Sequence, residues 1–111
     1  MIVILTQKPG QFRTEPGEGM RVLEAYDYLF CGRLRAQYLL AEMTAPTRVR
    51  VVEESGPAMV NWVPTKFLKP HDSLAAARRE LQQLCAFGRI DTELRPRAVP
   101  VPAAGAGQGA A

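Results

Sequence analysis

Reactive side chains are scarce in this chain. It has one histidine, His71, and two cysteines, Cys31 and Cys85, which stand far apart and make no Cys-x-x-Cys pair. A structural zinc site takes four His or Cys ligands, so no metal centre is expected. A nucleophile-base relay has only His71 to draw on, and no nucleophile is recognisably paired with it. His71 lies between Pro70 and Asp72, where a strand gives way to a helix, and it reads as a surface or cap-proximal residue. The Gly17-Glu18-Gly19 stretch is followed neither by a helical pattern nor by Lys-Ser/Thr, which argues against a phosphate cradle. Glu53 and Glu54 are neighbours on a strand and point to opposite faces, so they form no carboxylate pair. No reaction and no cofactor are indicated. An enzyme would have to be built on His71 or Cys31.

Long apolar runs are also missing. No segment approaches the ~20 residues of a membrane span. Met1-Ile2-Val3-Ile4-Leu5 is too short for a signal-peptide core and has no basic segment before it. The expectation is a buried first strand in a cytoplasmic protein, with both cysteines as free thiols. Charge of either sign is not concentrated. The net charge is +3; residues 1–72 carry 9 Lys/Arg against 8 Asp/Glu, and residues 73–111 carry 5 against 3. That is far from the basic patch of a strong nucleic-acid binder.

What the chain does have is β pattern. At 111 residues it is one domain, expected over residues 1–90, with 91–111 as an extended Pro/Ala/Gly-rich tail. Residues 1–7 are rich in β-branched side chains and read as a strand buried on both faces. Pro9, Gly10, Pro16, Gly17 and Gly19 mark residues 8–19 as a long irregular loop, its Glu15 and Glu18 solvated. Residues 20–43 admit two readings. Leu23, Tyr26, Phe30, Leu34 and Tyr38 fall at helical spacing. The period-2 pattern Leu34, Ala36, Tyr38, Leu40, with Cys31-Gly32 at the midpoint, favours a hairpin. Residues 48–54 alternate basic with apolar, leaving Arg48 and Arg50 exposed opposite Val49 and Val51. With residues 58–63 as a further strand, short turns predict an antiparallel meander. A helix over about 73–87 follows, capped by Asp72 or Ser73 and ended by Gly88. Its apolar stripe is Leu74, Ala77, Leu81, Leu84 and Cys85, a surface that needs either the sheet or a second subunit as partner.

The central stretch, residues 58–70, holds the only tryptophan, Trp62, then Pro64, Phe67 and Pro70. Tyr26 and Tyr28 sit two apart on the earlier strand and share a face. If these aromatics meet, they make an apolar surface edged with hydroxyl and indole donors, suited to a peptide; otherwise Trp62 and Phe67 are core residues of a small barrel. The segment Ala25-Tyr26-Asp27-Tyr28, followed by Trp62-Val63-Pro64-Thr65-Lys66-Phe67, resembles the Src-homology-3 pattern of an Ala-Leu-Tyr-Asp-Tyr segment and a later Pro-x-x-Tyr turn. The resemblance covers about ten residues across the two segments. It implies a small barrel whose groove, here Tyr26, Tyr28, Pro64 and Phe67, takes proline-rich peptides. The family's tandem tryptophans have no counterpart in this chain.

The expected fold is therefore mainly β with one C-terminal helix, as a small antiparallel barrel or curled sheet, with an α+β sheet-plus-helix arrangement as the alternative. The expected function is that of a non-catalytic interaction or accessory subunit. It would bind a protein partner through Tyr26, Tyr28, Trp62, Pro64 and Phe67, with Arg48 and Arg50 as a charged rim. Nucleic-acid binding through Arg33, Arg35, Arg48 and Arg50 is the alternative. No membrane association is expected, and the helix stripe offers a route to a homo-oligomer.

Overall fold

The computed structural model describes residues 1–57, 59–86 and 92–99. Seven strands and one α-helix follow in the order β1 (Ile2–Gln7), β2 (Phe12–Glu15), β3 (Arg21–Phe30), β4 (Arg33–Glu42), β5 (Arg48–Glu53), β6 (Val60–Pro64), α1 (Leu74–Ala86) and β7 (Thr92–Arg97). They form two antiparallel sheets, ordered β1-β4-β3-β7 and β2-β5-β6. The chain is mainly β with one helix. Among the described residues no helix is long and apolar enough to cross a membrane.

The sheets do not close into a barrel, and β1 shows why. Ile2 belongs to a core under α1, while Val3 and Leu5 belong to a core between the two sheets. β4 repeats the division, with Leu40 under the helix and Leu39 and Ala41 facing the second sheet. A strand buried on both faces fits a middle layer, whereas a small barrel has one interior. The four-stranded sheet is thus covered by α1 on one face and by β2-β5-β6 on the other. β4 is already flanked by β1 and β3, so β5 has no edge to join. The expected meander breaks at residues 43–47, and β5 pairs with β2 and β6 in the second sheet.

Local chemistry sets the connections. Cys31 and Gly32 both have positive φ, 53° and 75°, between the paired residues Phe30 and Arg33. That is a two-residue hairpin turn of the primed type, whose twist matches the strands it joins. In the loop expected over residues 8–19, Phe12–Glu15 forms a strand. Its four residues lie between the turn at Gly10 and the break at Pro16, and they pair with β5. Thr92–Arg97, expected as extended tail, is an edge strand on β3. Extended proline-rich backbone lies close to β geometry, and an edge strand tolerates Pro96. Gly88 and residues 100–111 of the expected tail lie outside the described residues.

The Ser73 hydroxyl accepts a hydrogen bond from the amide of Ala76 at 3.1 Å, so Ser73 caps the helix. Ala77, Leu81 and Cys85 are buried beneath it. The stripe is covered by the chain's own sheet, with Leu84 left exposed. Residue 71 also differs from expectation. His71 is only 8% exposed, and its main chain pairs with Ile2 in both directions, at 2.8 and 2.9 Å. A polar row crosses the four-stranded sheet beyond its apolar centre. The Gln7 amide donates to Gln37 (3.1 Å), Gln37 donates to Asp27 (2.9 Å), and Arg97 pairs with Asp27 at 3.3 Å.

Candidate functional site

The sequence-predicted site residues divide into two groups on opposite sides of the molecule. Tyr26 and Tyr28 share a face, as expected, but that face lies under α1. The cause is a β-bulge in β3: the register shifts between Val22 and Glu24, so Glu24, Tyr26 and Tyr28 all point toward the helix. The Tyr26 hydroxyl donates to Glu24 at 2.6 Å, and Arg78 of α1 forms an ion pair with the same carboxylate. Tyr28 meets Tyr38 edge-on, with ring centroids 6.4 Å apart. Burial, then the neighbouring Cys85, pushes the Tyr38 hydroxyl up to about 12. Burial likewise pushes the Cys85 thiol up, outweighing the hydrogen bond with Tyr38, so the thiol is poorly suited to act as a nucleophile. Both cysteines are free, Cys31 exposed at the hairpin tip and Cys85 buried.

Trp62, Pro64, Arg48 and Arg50 do come together, on the outer face of the three-stranded sheet. The β5–β6 register sets Arg48 opposite Pro64 and Arg50 opposite Trp62. Val49 and Val63 turn inward to the core and hold the alternation in phase. The indole of Trp62 is 57% exposed, and the Arg48 guanidinium lies over its ring, 6.0 Å from the centroid. Among the described residues Arg48 makes no ion pair. Arg50 is tied down: it pairs with Glu15 at 2.9 Å, and Glu15 also pairs with Arg13 at 2.9 Å. Partial burial pushes the Glu15 carboxyl up, but the hydrogen bond from Arg13 and the charge of Arg50 outweigh it, and the pKa lies below its ordinary value.

The loop after β2 walls this face on one side. Glu15, Pro16, Gly17, Glu18, Thr47, Arg48, Arg50 and Trp62 line an open groove of about 640 Å³. Gly17 runs close against β5, where a β-carbon would collide with the main-chain carbonyl of Arg48. Glycine is needed there for close approach of two backbones. Sequence reasoning placed Glu15 in a solvated loop. The signal it missed is the short Phe12-Arg13-Thr14-Glu15 alternation between breakers, which makes Glu15 an edge-strand residue opposite Arg50.

Phe67 is not a core residue: it is 71% exposed on a 3₁₀ turn (Thr65–Phe67), with the Lys66 ammonium 5.3 Å from its ring centroid. Beside this turn lies a second, apolar cavity of about 620 Å³, lined chiefly by Met1, Met43, Ala45, Pro46, Leu68 and Pro70. Arg33 stands at the tip of the β3–β4 hairpin, opposite Phe30, with Arg35 two residues on. Both belong to the four-stranded sheet, so the four arginines do not share one face. Among the described residues no group of three or more His, Cys, Asp or Glu side chains is placed to hold a metal ion. Comparison of the chain with protein-family models, with curated proteins and with solved structures finds no match.

Proposed function

We propose that the chain is a non-catalytic interaction module that holds a protein partner on the outer face of the β2-β5-β6 sheet. The observation that carries this reading is Trp62. A tryptophan that is 57% exposed on a regular strand leaves more than half of its surface to water. Partner-binding hot spots are enriched in Trp and Arg, and Arg48 over the indole supplies a cation that forms no ion pair among the described residues. Arg50 and Pro64 complete the patch, and the Glu15–Glu18 loop gives it one raised side. Tyr26 and Tyr28 support the helix from beneath and take no part. Phe67 lies on the turn after β6, exposed beside Lys66.

The test is capture of partners from lysate with and without nuclease treatment on immobilised wild-type, Trp62→Ala and Arg48→Ala chains, each checked for native circular dichroism. Trp62→Ala is expected to lose the captured protein, and Arg48→Ala to weaken its retention. Equal capture by wild type and Trp62→Ala would overturn the reading. Loss of all captured protein on nuclease treatment would favour nucleic acid as the primary partner.

A further inference from the structure

Strand β6 is the outer strand of its sheet, and the phase of its hydrogen bonds can be read from its two ends. The amide of Glu53 donates to Met59 (2.9 Å), and the amide of Thr65 donates to Thr47 (2.9 Å). Antiparallel ladders alternate, so Asn61 and Val63 turn their main-chain groups toward β5. Val60 and Trp62 therefore present N–H and C=O to the outside edge, and Pro64 presents its carbonyl alone. Exposed edges of this kind are blunted by charged side chains, proline, bulges or shortness. The other described edges are managed: β2 carries Arg13 and Glu15, β7 carries Glu93, Arg95 and Arg97, and β1 pairs with His71. β6, with Val60-Asn61-Trp62-Val63-Pro64, has no charged residue.

We infer that β6 pairs antiparallel with β6 of a second copy of this chain, joining two three-stranded sheets into one of six strands. This inference rests on the same exposed Trp62 face and adds the strand edge beside it. What favours a second copy as occupant is the self-complementarity of the edge. With a two-fold axis at Trp62, the two Trp62 residues exchange both N–H···O=C bonds. Each Val60 amide then donates to the Pro64 carbonyl of the other copy, and the missing proline N–H ends the ladder on both sides. Exposed Val60 and Trp62 become cross-strand neighbours of apolar residues. Both indoles fall on the same outer face, so the second copy contributes its Trp62 to the proposed docking surface, in a row Arg50–Trp62–Trp62–Arg50. A bivalent platform results, with no like charges opposed across the new pair.

The experiment is sedimentation velocity on the purified full chain from about 1 to 300 µM, a range bracketing the affinities of weak and moderate self-association. A concentration-dependent species at twice the 12.2 kDa chain mass is expected. Val60→Pro removes only an outward-facing N–H and leaves the β5 ladder intact, so it should stay folded and weaken the dimer at least tenfold. Trp62→Lys places two ammonium groups at the axis and should do the same. A monomer at every concentration overturns the inference, as does a dimer that both variants leave unchanged. A monomer whose partner capture still depends on Trp62 removes self-pairing alone; a β6 dimer whose capture ignores Trp62 removes the partner face alone.

Discussion

Leu81 and Leu84 stand three residues apart on one helix stripe, yet truncating them should have very different costs. Leu81 is 1% exposed and packs with Ile2, Leu40, Ala77 and Cys85, whereas Leu84 is 57% exposed. Leu81→Ala removes three buried carbons and opens a void between α1 and the four-stranded sheet. Substitutions of this kind cost about 2–5 kcal/mol, transfer and cavity contributions together. A domain of this size has about 5–15 kcal/mol in total, so a large fraction of its stability is at stake. Leu84→Ala changes a side chain already in water and should fall within about 0.5 kcal/mol of wild type. Urea unfolding followed by far-ultraviolet circular dichroism measures both. The Leu81→Ala midpoint should drop with the slope unchanged, and the Leu84→Ala curve should overlay wild type. Equal costs, or a larger one at Leu84, would refute the packing described. A helix rolled by about 60° about its axis would bring Leu84 to the direction that Leu81 holds.

Two further predictions concern other sites. The hydrogen bond from Arg78 leads, over the opposing effect of burial, in holding the Glu24 carboxyl below its ordinary value of 4.5, with a further contribution from Tyr26. A lowered folded pKa contributes stability that is present above the ordinary value and lost as pH falls through the folded one. Melting temperature against pH should therefore decline less steeply below about pH 4.5 in Glu24→Gln than in wild type, from a lower value at neutrality. Parallel profiles would show that the pair does not stabilise the fold. Gly17→Ala drives a β-carbon into the Arg48 carbonyl and should cost about 1–3 kcal/mol. It should also alter Trp62 fluorescence as the groove wall moves, and an unchanged urea midpoint would contradict the close approach.

The β content, the single helix and the Cys31-Gly32 turn were legible because each has a local cause. Alternation marks β5, capping and 3.6-residue spacing mark α1, and a glycine at the midpoint of a period-2 pattern marks the hairpin. The division of strands between sheets was not legible, because it depends on which edges are already taken. β5 leaves β4 only because β1 and β3 occupy both sides of it. The candidate site was half legible. The pairing of Arg48 and Arg50 with Pro64 and Trp62 follows from adjacent strands of matched length. The fate of Tyr26 and Tyr28 turned on one extra residue in β3, which aims them at the helix and has no mark in composition. Both readings of Phe67 stood open, because a lone aromatic after a proline turn reads equally well as core or surface, and its exposure decides for the surface.

The row of Gln7, Gln37 and Asp27 has a consequence for how the middle sheet finds its alignment. Residues 3–5 of β1 face an equally apolar stretch of β4, Leu39-Leu40-Ala41, on both sides of the layer. A slide of two residues would keep every side chain on its own face and lose little apolar contact. Greasy strands of this kind carry no internal ruler. The amide groups supply one: a slide of two residues pulls Gln7 away from Gln37 in either direction, setting it opposite Leu39 in one and Arg35 in the other. Three polar side chains at the end of the sheet thus act as its zero mark, reporting error more sharply than the dozen apolar residues that supply the adhesion.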